Sequence, residues 1–210
     1  MSGTITATFE DLDPPNIDDG NTGLTSFSPY LGLNYQRFSA IDVQPEEGRV
    51  IFYTLSRITS AVGSLIDLLP TSIPLPVTPP AILPAAPAKS FDLDSFDFGC
   101  VVRGLAPMVD GVIGFDCEIQ IIPIRAYPSD PQQATKTCTY TAPTSTGSPE
   151  TTGAHYKRCN VGLKSLKEAR FLTTPIISEE QCKVIGGVLD GVTEAALVTA
   201  MDNVTYSLEC

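Results

Sequence analysis

The six cysteines constrain this chain of 210 residues more than any other feature of its sequence. All of them lie in the second half at wide spacings, and none forms the C-x-x-C pair of zinc ribbons and redox sites. An even number of such cysteines is typical of a domain that disulfides stabilise in an oxidising compartment. Many pairings are possible, but pairing between neighbours closes the smallest loops. We therefore predict a secreted, extracellular protein with the disulfides Cys100–Cys117, Cys138–Cys159 and Cys182–Cys210.

The overall charge excludes one class of partner. The formal net charge is −11, from 13 basic and 24 acidic residues, and no run of basic residues occurs. Nucleic acid is not expected as a partner, because binding to its phosphates requires clustered Lys and Arg. No stretch reaches the roughly 18 apolar residues of a membrane span. No signal peptide opens the sequence, so we expect it to be that of a mature protein.

Alternation of apolar and polar residues predicts β-strands over most of the chain. The strongest pattern covers residues 112–124, and weaker ones cover 4–12, 30–43, 50–53, 89–100, 134–140, 171–177 and 195–208. Short strands separated by turns rich in Gly, Pro and Asn are typical of a β-sandwich. The sequence therefore predicts an all-β fold.

One segment interrupts this pattern. Apolar residues recur at helical spacing between residues 55 and 69, which predicts a short helix there. Seven prolines between residues 70 and 87 then predict an extended, polyproline-like crossover, since proline donates no ladder hydrogen bond. The many apolar residues of this segment either cover the sandwich or line an exposed docking surface.

Four short motifs carry a resemblance to a known group of proteins. They are residues 8–12 (TFEDL), 30–38 (YLGLNYQRF), 90–95 (SFDLDS) and 201–206 (MDNVTY). In this order the chain resembles secreted fungal-type jelly-roll proteins that are similar to carbohydrate-binding modules, many of them of unknown function. The chain differs from this group in two ways: it has an apolar, Pro-rich insertion at residues 55–87, and it contains no tryptophan. It implies a single jelly-roll β-sandwich over residues 1–210, with strands in 4–54 and 89–210 and the helical, Pro-rich insertion in 55–88.

The resemblance also implies a structural calcium ion that ties the first strand to the last. Glu10 or Asp11, together with Asp202, would supply the hard oxygen ligands that Ca²⁺ prefers. The alternative is that Asp11 caps a turn and Asp202 faces water. We expect no other cofactor.

Tyrosines are the candidates for ligand binding, because exposed aromatic rings stack on the faces of sugars. We select Tyr30, Tyr35 and Tyr127, of which Tyr30 and Tyr127 lie nearest to predicted loops. The alternative is that these rings pack into the core. Asn203, in the sequence Asn-Val-Thr, is a predicted glycosylation acceptor, in keeping with a secreted glycoprotein.

Catalysis has less support in the sequence. The single histidine, His155, lies in a Thr-, Ser- and Gly-rich loop, which excludes a metal site with several His ligands and favours a solvated side chain over a catalytic base. A glycosidase needs a pair of carboxylates, and five residues are candidates: Asp92, Asp94, Asp97, Asp116 and Glu118. The alternative is that these side chains form the solvent-facing side of a half-buried sheet.

These observations lead to three hypotheses of function. The first is a secreted, non-catalytic binding protein for a cell-wall or surface glycan. The alternative is an effector-like protein that binds a protein partner or an apolar ligand through segment 55–87. The third is a glycan-active enzyme with paired carboxylates, so that enzymatic activity stays an open question here.

Overall fold

The computed structural model describes residues 3–12, 27–42, 49–59, 78–104, 113–143, 156–178, 181 and 194–209. Within these ranges the chain forms eleven strands: β1 (Thr4–Ala7), β2 (Leu33–Gln36), β3 (Ser39–Asp42), β4 (Arg49–Thr59), β5 (Ala81–Pro84), β6 (Ser90–Gly104), β7 (Ile113–Gly114), β8 (Asp116–Arg125), β9 (Lys136–Tyr140), β10 (Lys157–Ile176) and β11 (Glu194–Glu209). The prediction of a mainly β chain is confirmed. None of the ranges named above holds a helix long and apolar enough to cross a membrane.

The strands form one curled antiparallel sheet, whose central path runs β2-β5-β10-β6-β11-β4-β3. Three long strands, β6, β10 and β11, exchange partners along their length. The strand β10 pairs with β6 over residues 157–166 and with β8 over residues 166–176. Likewise, β11 pairs with β4 over residues 194–201 and with β1 over residues 204–207. This exchange of partners curls the sheet around a common core.

A bend in β10 makes the exchange of partners possible. Its register with β6 shifts between Asn160 and Leu163 and again between Leu163 and Leu166. Gly162 and Ser165 adopt positive φ angles of 61° and 49° at these shifts. Glycine adopts this conformation without strain, whereas serine adopts it rarely. The bend separates the part of β10 that pairs with β6 from the part that pairs with β8.

Aromatic rings pack edge to face through the core. The ring of Phe38 lies 5.9 Å from that of Tyr35, 5.3 Å from Tyr53 and 5.9 Å from Phe171, measured between centroids. Phe171 in turn lies 5.8 Å from Phe96. Such pairs stabilise a core by about 0.5–1.5 kcal/mol each beyond the burial of their area. They join β2, β4, β6 and β10 across the inside of the curl.

Two of the three predicted disulfides are confirmed. Cys100–Cys117 joins β6 to β8, and Cys138–Cys159 joins β9 to β10. The third predicted pair, Cys182–Cys210, lies outside the described residues. Two disulfides are consistent with an extracellular protein.

The predicted helix over residues 55–69 is wrong in its first turn. Residues 55–59 continue β4 and pair with the start of β11, with Ile58 opposite Ala195. Pairing in the ladder decides the conformation here, because β-branched residues such as Ile58 and Thr59 fit a pleated sheet better than a helix. The remainder of the predicted helix, residues 60–69, lies outside the described residues.

The Pro-rich crossover also contains a strand that was not predicted. The strand β5, Ala81–Pro84, lies between β2 and β10 in the sheet. Its ladder to β10 uses only Ala81 and Ile82, opposite Arg170 and Ala169. The prolines flank these two residues, so proline's missing N–H does not interrupt the pairing.

Candidate functional site

One face of the sheet carries polar side chains that contact one another across four neighbouring strands. In β6 the side chains of Phe91, Leu93, Phe96 and Phe98 point into the core, so the aspartates between them point outward. Residues of β10 contact these aspartates from one side and residues of β11 contact them from the other. We call this surface the polar face and define it by Arg158, Lys164, Asp92, Asp94, Asp97, Asn203, Thr205 and Thr6.

Cations of β10 bind the carboxylates of β6 on the polar face. Lys164 Nζ lies 3.0 Å from Asp94 Oδ1 and 3.2 Å from Asp92 Oδ2. Arg158 Nη1 lies 3.4 Å from Asp97 Oδ1. Hydrogen bonding to Asp94 raises the pKa of Lys164 above its ordinary value. The polar face therefore presents ionised groups of both signs.

The contacts continue across β11 to β1. Asn203 Nδ2 donates to Asp97 Oδ2 at 2.9 Å. The hydroxyl groups of Thr205 and Thr6 share a hydrogen bond of 3.4 Å. Hydroxyl, amide and carboxylate groups, which are the usual partners of sugar hydroxyls, thus lie side by side.

Tyr127 lies in the turn that follows β8. Its side chain is 43% exposed, and it is the one aromatic residue among the exposed large apolar residues of the described ranges. The turn that carries it is fixed, because Tyr127 N–H donates to Asp130 Oδ2 at 3.2 Å and Asp130 N–H donates to Tyr127 O at 3.1 Å. Arg125 Nη1 also donates to Asp130 O at 2.8 Å. An exposed ring is thereby held on an ordered turn.

This turn is attached directly to the bend in β10, next to Lys164. Ala126 N–H donates to Ser165 O at 2.8 Å. Gln133 accepts from Lys164 N–H at 2.8 Å and donates to Lys164 O at 2.5 Å. The loop that carries Tyr127 is therefore joined to the backbone of β10 at Lys164 and Ser165.

The other two selected tyrosines occupy the interior or support it. Tyr35 is 2% exposed, so its ring presents no face to a ligand. Tyr30 packs on Phe9 with centroids 5.2 Å apart, and its hydroxyl donates to Asp11 Oδ1 at 2.5 Å. Burial, together with this hydrogen bond, raises the pKa of Tyr30 to about 12. Both rings hold the segment that follows β1 against the core.

The three residues predicted to bind calcium lie near one another, but protein groups contact their oxygens. Asp11 accepts from Tyr30, and Glu10 Oε1 accepts from Arg49 N–H at 3.2 Å. Asp202 Oδ1 accepts from Asn203 N–H at 2.7 Å. Within the ranges that the structure describes, no group of three or more His, Cys, Asp or Glu residues is arranged to hold a metal ion. The described side chains therefore do not form a full calcium site, and calcium binding stays a prediction.

The predicted glycosylation acceptor, Asn203, takes part in the polar face. It adopts a positive φ angle of 49°, which asparagine tolerates better than most residues. Its side-chain amide contacts Asp97, and its carbonyl accepts from the Thr205 hydroxyl at 3.3 Å. Both polar residues of the acceptor sequence are thus engaged within the sheet. Glycosylation at this position stays a prediction.

The carboxylates considered for catalysis contact protein donors. Lys164 bridges Asp92 and Asp94, which point to the same face as the alternation predicted. Asp116 accepts from Ala142 N–H at 2.8 Å and from Gln181 Nε2 at 3.1 Å. Glu118 accepts from Gln120 Nε2 at 3.0 Å. Such contacts are expected of carboxylates on the solvent side of a half-buried sheet. His155 lies outside the described residues.

Sequence reasoning did not identify Lys164, Arg158 or Gln133 as site residues. The signal that would have found the first two is the alternation of charged and apolar residues after residue 156, with Cys159, Val161 and Leu163 buried. Such alternation predicts a strand whose outer face is cationic.

Comparisons of the chain with protein-family models, with curated proteins and with solved structures find no match. The polar face and the exposed Tyr127 are therefore the features from which a function can be inferred.

Proposed function

We propose that this chain is a secreted, non-catalytic binding protein for a cell-wall or surface glycan, and that the polar face together with Tyr127 forms the binding surface. The observation that carries the proposal is the exposed ring of Tyr127, fixed on a hydrogen-bonded turn beside Lys164. Sites for sugars combine an aromatic platform with a few convergent polar groups.

The chemistry of the polar face suits a polyhydroxylated ligand. A sugar hydroxyl can donate to a carboxylate of Asp92 or Asp94 and accept from the ammonium of Lys164. Both kinds of partner lie within 3.2 Å of each other. Because the turn and the strands are already ordered by hydrogen bonds, binding does not require them to be ordered first.

The fold and the compartment belong to the same proposal. The exchange of partners along β6, β10 and β11 supports a jelly-roll sandwich of the kind that the resemblance implies. The two disulfides support secretion. The resemblance also implies a structural calcium ion, for which Glu10 or Asp11 together with Asp202 would supply side-chain oxygens.

The test is depletion of the purified, oxidised protein from solution by insoluble cellulose, xylan, chitin and β-1,3-glucan, with and without calcium. We expect at least one polymer to retain the protein. Tyr127→Ala should weaken retention roughly two- to tenfold, the equivalent of the 0.5–1.5 kcal/mol of an aromatic contact. Tyr127→Phe, which keeps the ring, should retain most of the binding.

A matched control is available at the end of β10. Ile176 is 52% exposed and lies outside the polar face and the Tyr127 turn, so Ile176→Ala should leave retention unchanged. Equal losses in Tyr127→Ala and Ile176→Ala would contradict the assignment of the surface. Retention by no polymer, with or without calcium, would contradict glycan binding and favour a protein partner or an apolar ligand at segment 55–87.

A further inference from the structure

Solvent reaches the two described disulfides to different extents. Cys100 and Cys117 are both at 0% exposure, so a thiol can attack their bond only after the core opens. In the other bond, Cys159 is buried at 1% exposure, but Cys138 is only partly buried. The residues on both sides of Cys138 in β9 are exposed, and among the described strands β9 pairs with β8 alone. A thiol in solution can therefore reach this bond from the side of Cys138.

The charges near the two bonds differ in sign. Lys136 and Lys157 each lie two positions before one cysteine of the more exposed bond, in the same strand as that cysteine. Residues two positions apart in a strand lie on the same face. Nearby cations attract an attacking thiolate and stabilise the thiolate that leaves. Cys117 instead lies between two acidic residues in β8, so the surroundings favour reduction of the more exposed bond.

The more exposed bond is one of two tethers between the same two stretches of chain. Cys138 is joined to Cys159, and the side chain of Gln133 bonds the backbone N–H and C=O of Lys164 at 2.8 and 2.5 Å. The two attachment points are five positions apart in each stretch and follow in opposite order. Together they clamp residues 133–138 against β10. When the disulfide opens, the amide of Gln133 is left to hold this stretch.

We propose that Cys138–Cys159 is a redox-sensitive tether, which a small-molecule thiol opens in the folded protein while Cys100–Cys117 stays intact. Its opening loosens residues 126–138, the loop that carries the exposed ring of the proposed binding surface together with the start of β9. The core and the long strands stay in place. The tether itself is independent of the proposed function, and only its effect on the retention of a ligand rests on that function.

The reaction is an exchange of thiol for disulfide in two steps. The thiolate of the reductant attacks Sγ of Cys138, the S–S bond breaks, and Cys159 leaves as a thiolate that takes a proton from water. A second molecule of the reductant attacks the first in the mixed disulfide and releases Cys138, which is protonated in turn. Two thiol molecules are thereby oxidised to one disulfide, and the two electrons reduce the bond of the protein.

The first test is reduction of the native protein by glutathione without denaturant, followed by alkylation of the free thiols and mass spectrometry of the peptides. We expect Cys138 and Cys159 to be alkylated at least roughly tenfold faster than Cys100 and Cys117, since the buried bond waits for the core to open. Alkylation of all four at one rate would overturn the proposal, because reduction would then follow unfolding of the whole domain.

Hydrogen exchange measures the loosening. The amides of residues 126–138 should exchange several-fold faster after reduction, while those of β6 and β11 should not change. Replacing Cys138 and Cys159 together by alanine should give the same pattern without a reductant, and so with every other disulfide intact. Gln133→Ala should increase the exchange further, because it removes the second tether. Gln36→Ala, a matched change in an exposed residue of β2, should not.

The remaining outcomes separate the tether from the proposed function. Unchanged exchange in residues 126–138 after selective reduction would overturn the proposal, since the bond would not hold the loop. Where a polymer retains the oxidised protein, reduction should weaken retention about as much as Tyr127→Ala does. Retention by no polymer would contradict the proposed function, while alkylation and hydrogen exchange would still decide whether the tether exists.

Discussion

Asp97 of β6 and Asp202 of β11 lie directly opposite each other in the register of the sheet. Two like charges in such a cross-strand pair destabilise it unless other groups compensate. Asn203 and Arg158 each contact one oxygen of Asp97. The charge of Asp202 is less well compensated. Burial raises the pKa of Asp202 to about 6, and the hydrogen bond from Asn203 N–H opposes this effect. The negative charges of Glu10 and Asp97 raise the pKa further.

The raised pKa of Asp202 predicts that this group destabilises the fold at neutral pH. Its pKa is about 6 in the folded protein against the ordinary value of 3.8 for an aspartate in water, so the folded state binds the proton more tightly. The stability contributed by the protonated group is fully present below pH 3.8 and is lost as the pH rises through about 6. Asp202→Asn, which keeps an acceptor for Asn203 N–H, should therefore raise the melting temperature at pH 7.

The measurement is the melting temperature of both proteins from pH 4 to pH 8 in the absence of divalent ions. The melting temperature of the variant should exceed that of the parent at neutral pH. This difference should shrink toward zero as the pH falls to the pKa of the carboxyl group in the unfolded chain. A difference that does not change with pH would show that Asp202 does not titrate in this range. Asp130→Asn, in the exposed turn that carries Tyr127, is the control. It should not raise the melting temperature at pH 7, unless the loss of any carboxylate stabilises the protein.

Two buried tyrosines differ in whether their hydroxyl groups are hydrogen-bonded. Tyr206 OH donates to Leu31 O at 2.6 Å, whereas Tyr35 OH has no partner among the residues that the structure describes. Removing a buried hydroxyl without a partner costs little, while removing a bonded one costs about 0.5–1.5 kcal/mol. Tyr35→Phe should leave the free energy of unfolding unchanged or raise it, and Tyr206→Phe should lower it. Chemical denaturation measures both, and equal losses would show that Tyr35 OH has a partner.

The strands that could be predicted from sequence are those with an undisturbed alternation. In β8, Cys117, Ile119 and Ile121 are buried and the residues between them are not, as a period of two requires. The part of β10 before residue 171 was missed because its alternation holds only from Cys159 to Leu163 and the bends interrupt the period beyond it. Its buried residues are spaced by two positions as far as Leu163, by three as far as Ala169 and then again by two: Cys159, Val161, Leu163, Leu166, Ala169 and Phe171.

The site could be predicted only where local sequence decides it. The exposure of Tyr127 follows from a turn with prolines at 128 and 131, which keeps the ring out of a strand. The contacts of Lys164 with Asp92 and Asp94 depend instead on the register between β6 and β10, about 70 residues apart in the chain. Local pattern carries no information on such a register. The two disulfides were predictable because each closes a short excursion.

The two disulfides should contribute unequally to stability although they close loops of similar size. Their sequence separations are 17 and 21 residues, for which the chain-entropy model gives about 3 kcal/mol each. Cys100 and Cys117 are both fully buried, whereas Cys138 is only partly buried. Replacing Cys100 and Cys117 together by alanine should therefore cost more than replacing Cys138 and Cys159, because a cavity is left in the core.

Guanidinium unfolding of the two double-alanine variants under oxidising conditions tests this order. The parent protein, unfolded with and without a reductant, gives the combined effect of breaking all its disulfides, the predicted Cys182–Cys210 included, without any change of side-chain volume. If the variant without Cys138–Cys159 were the less stable of the two, cavity formation would not be what separates them.

A chain of buried hydroxyl groups in the core provides a further test of packing. Tyr53 OH lies 2.5 Å from Thr173 Oγ1, and Thr199 Oγ1 donates to Thr173 Oγ1 at 3.0 Å. Thr173→Val should lower the free energy of unfolding by about 1–3 kcal/mol, because the buried hydroxyl groups of Tyr53 and Thr199 both lose this partner. Tyr53→Phe should cost less, since Thr173 keeps Thr199 as a partner. Replacing both residues removes both partners, so the double variant should be more stable than the sum of the single effects predicts. Chemical denaturation of the four proteins gives the coupling energy, and simple additivity would mean that the two hydroxyl groups do not interact.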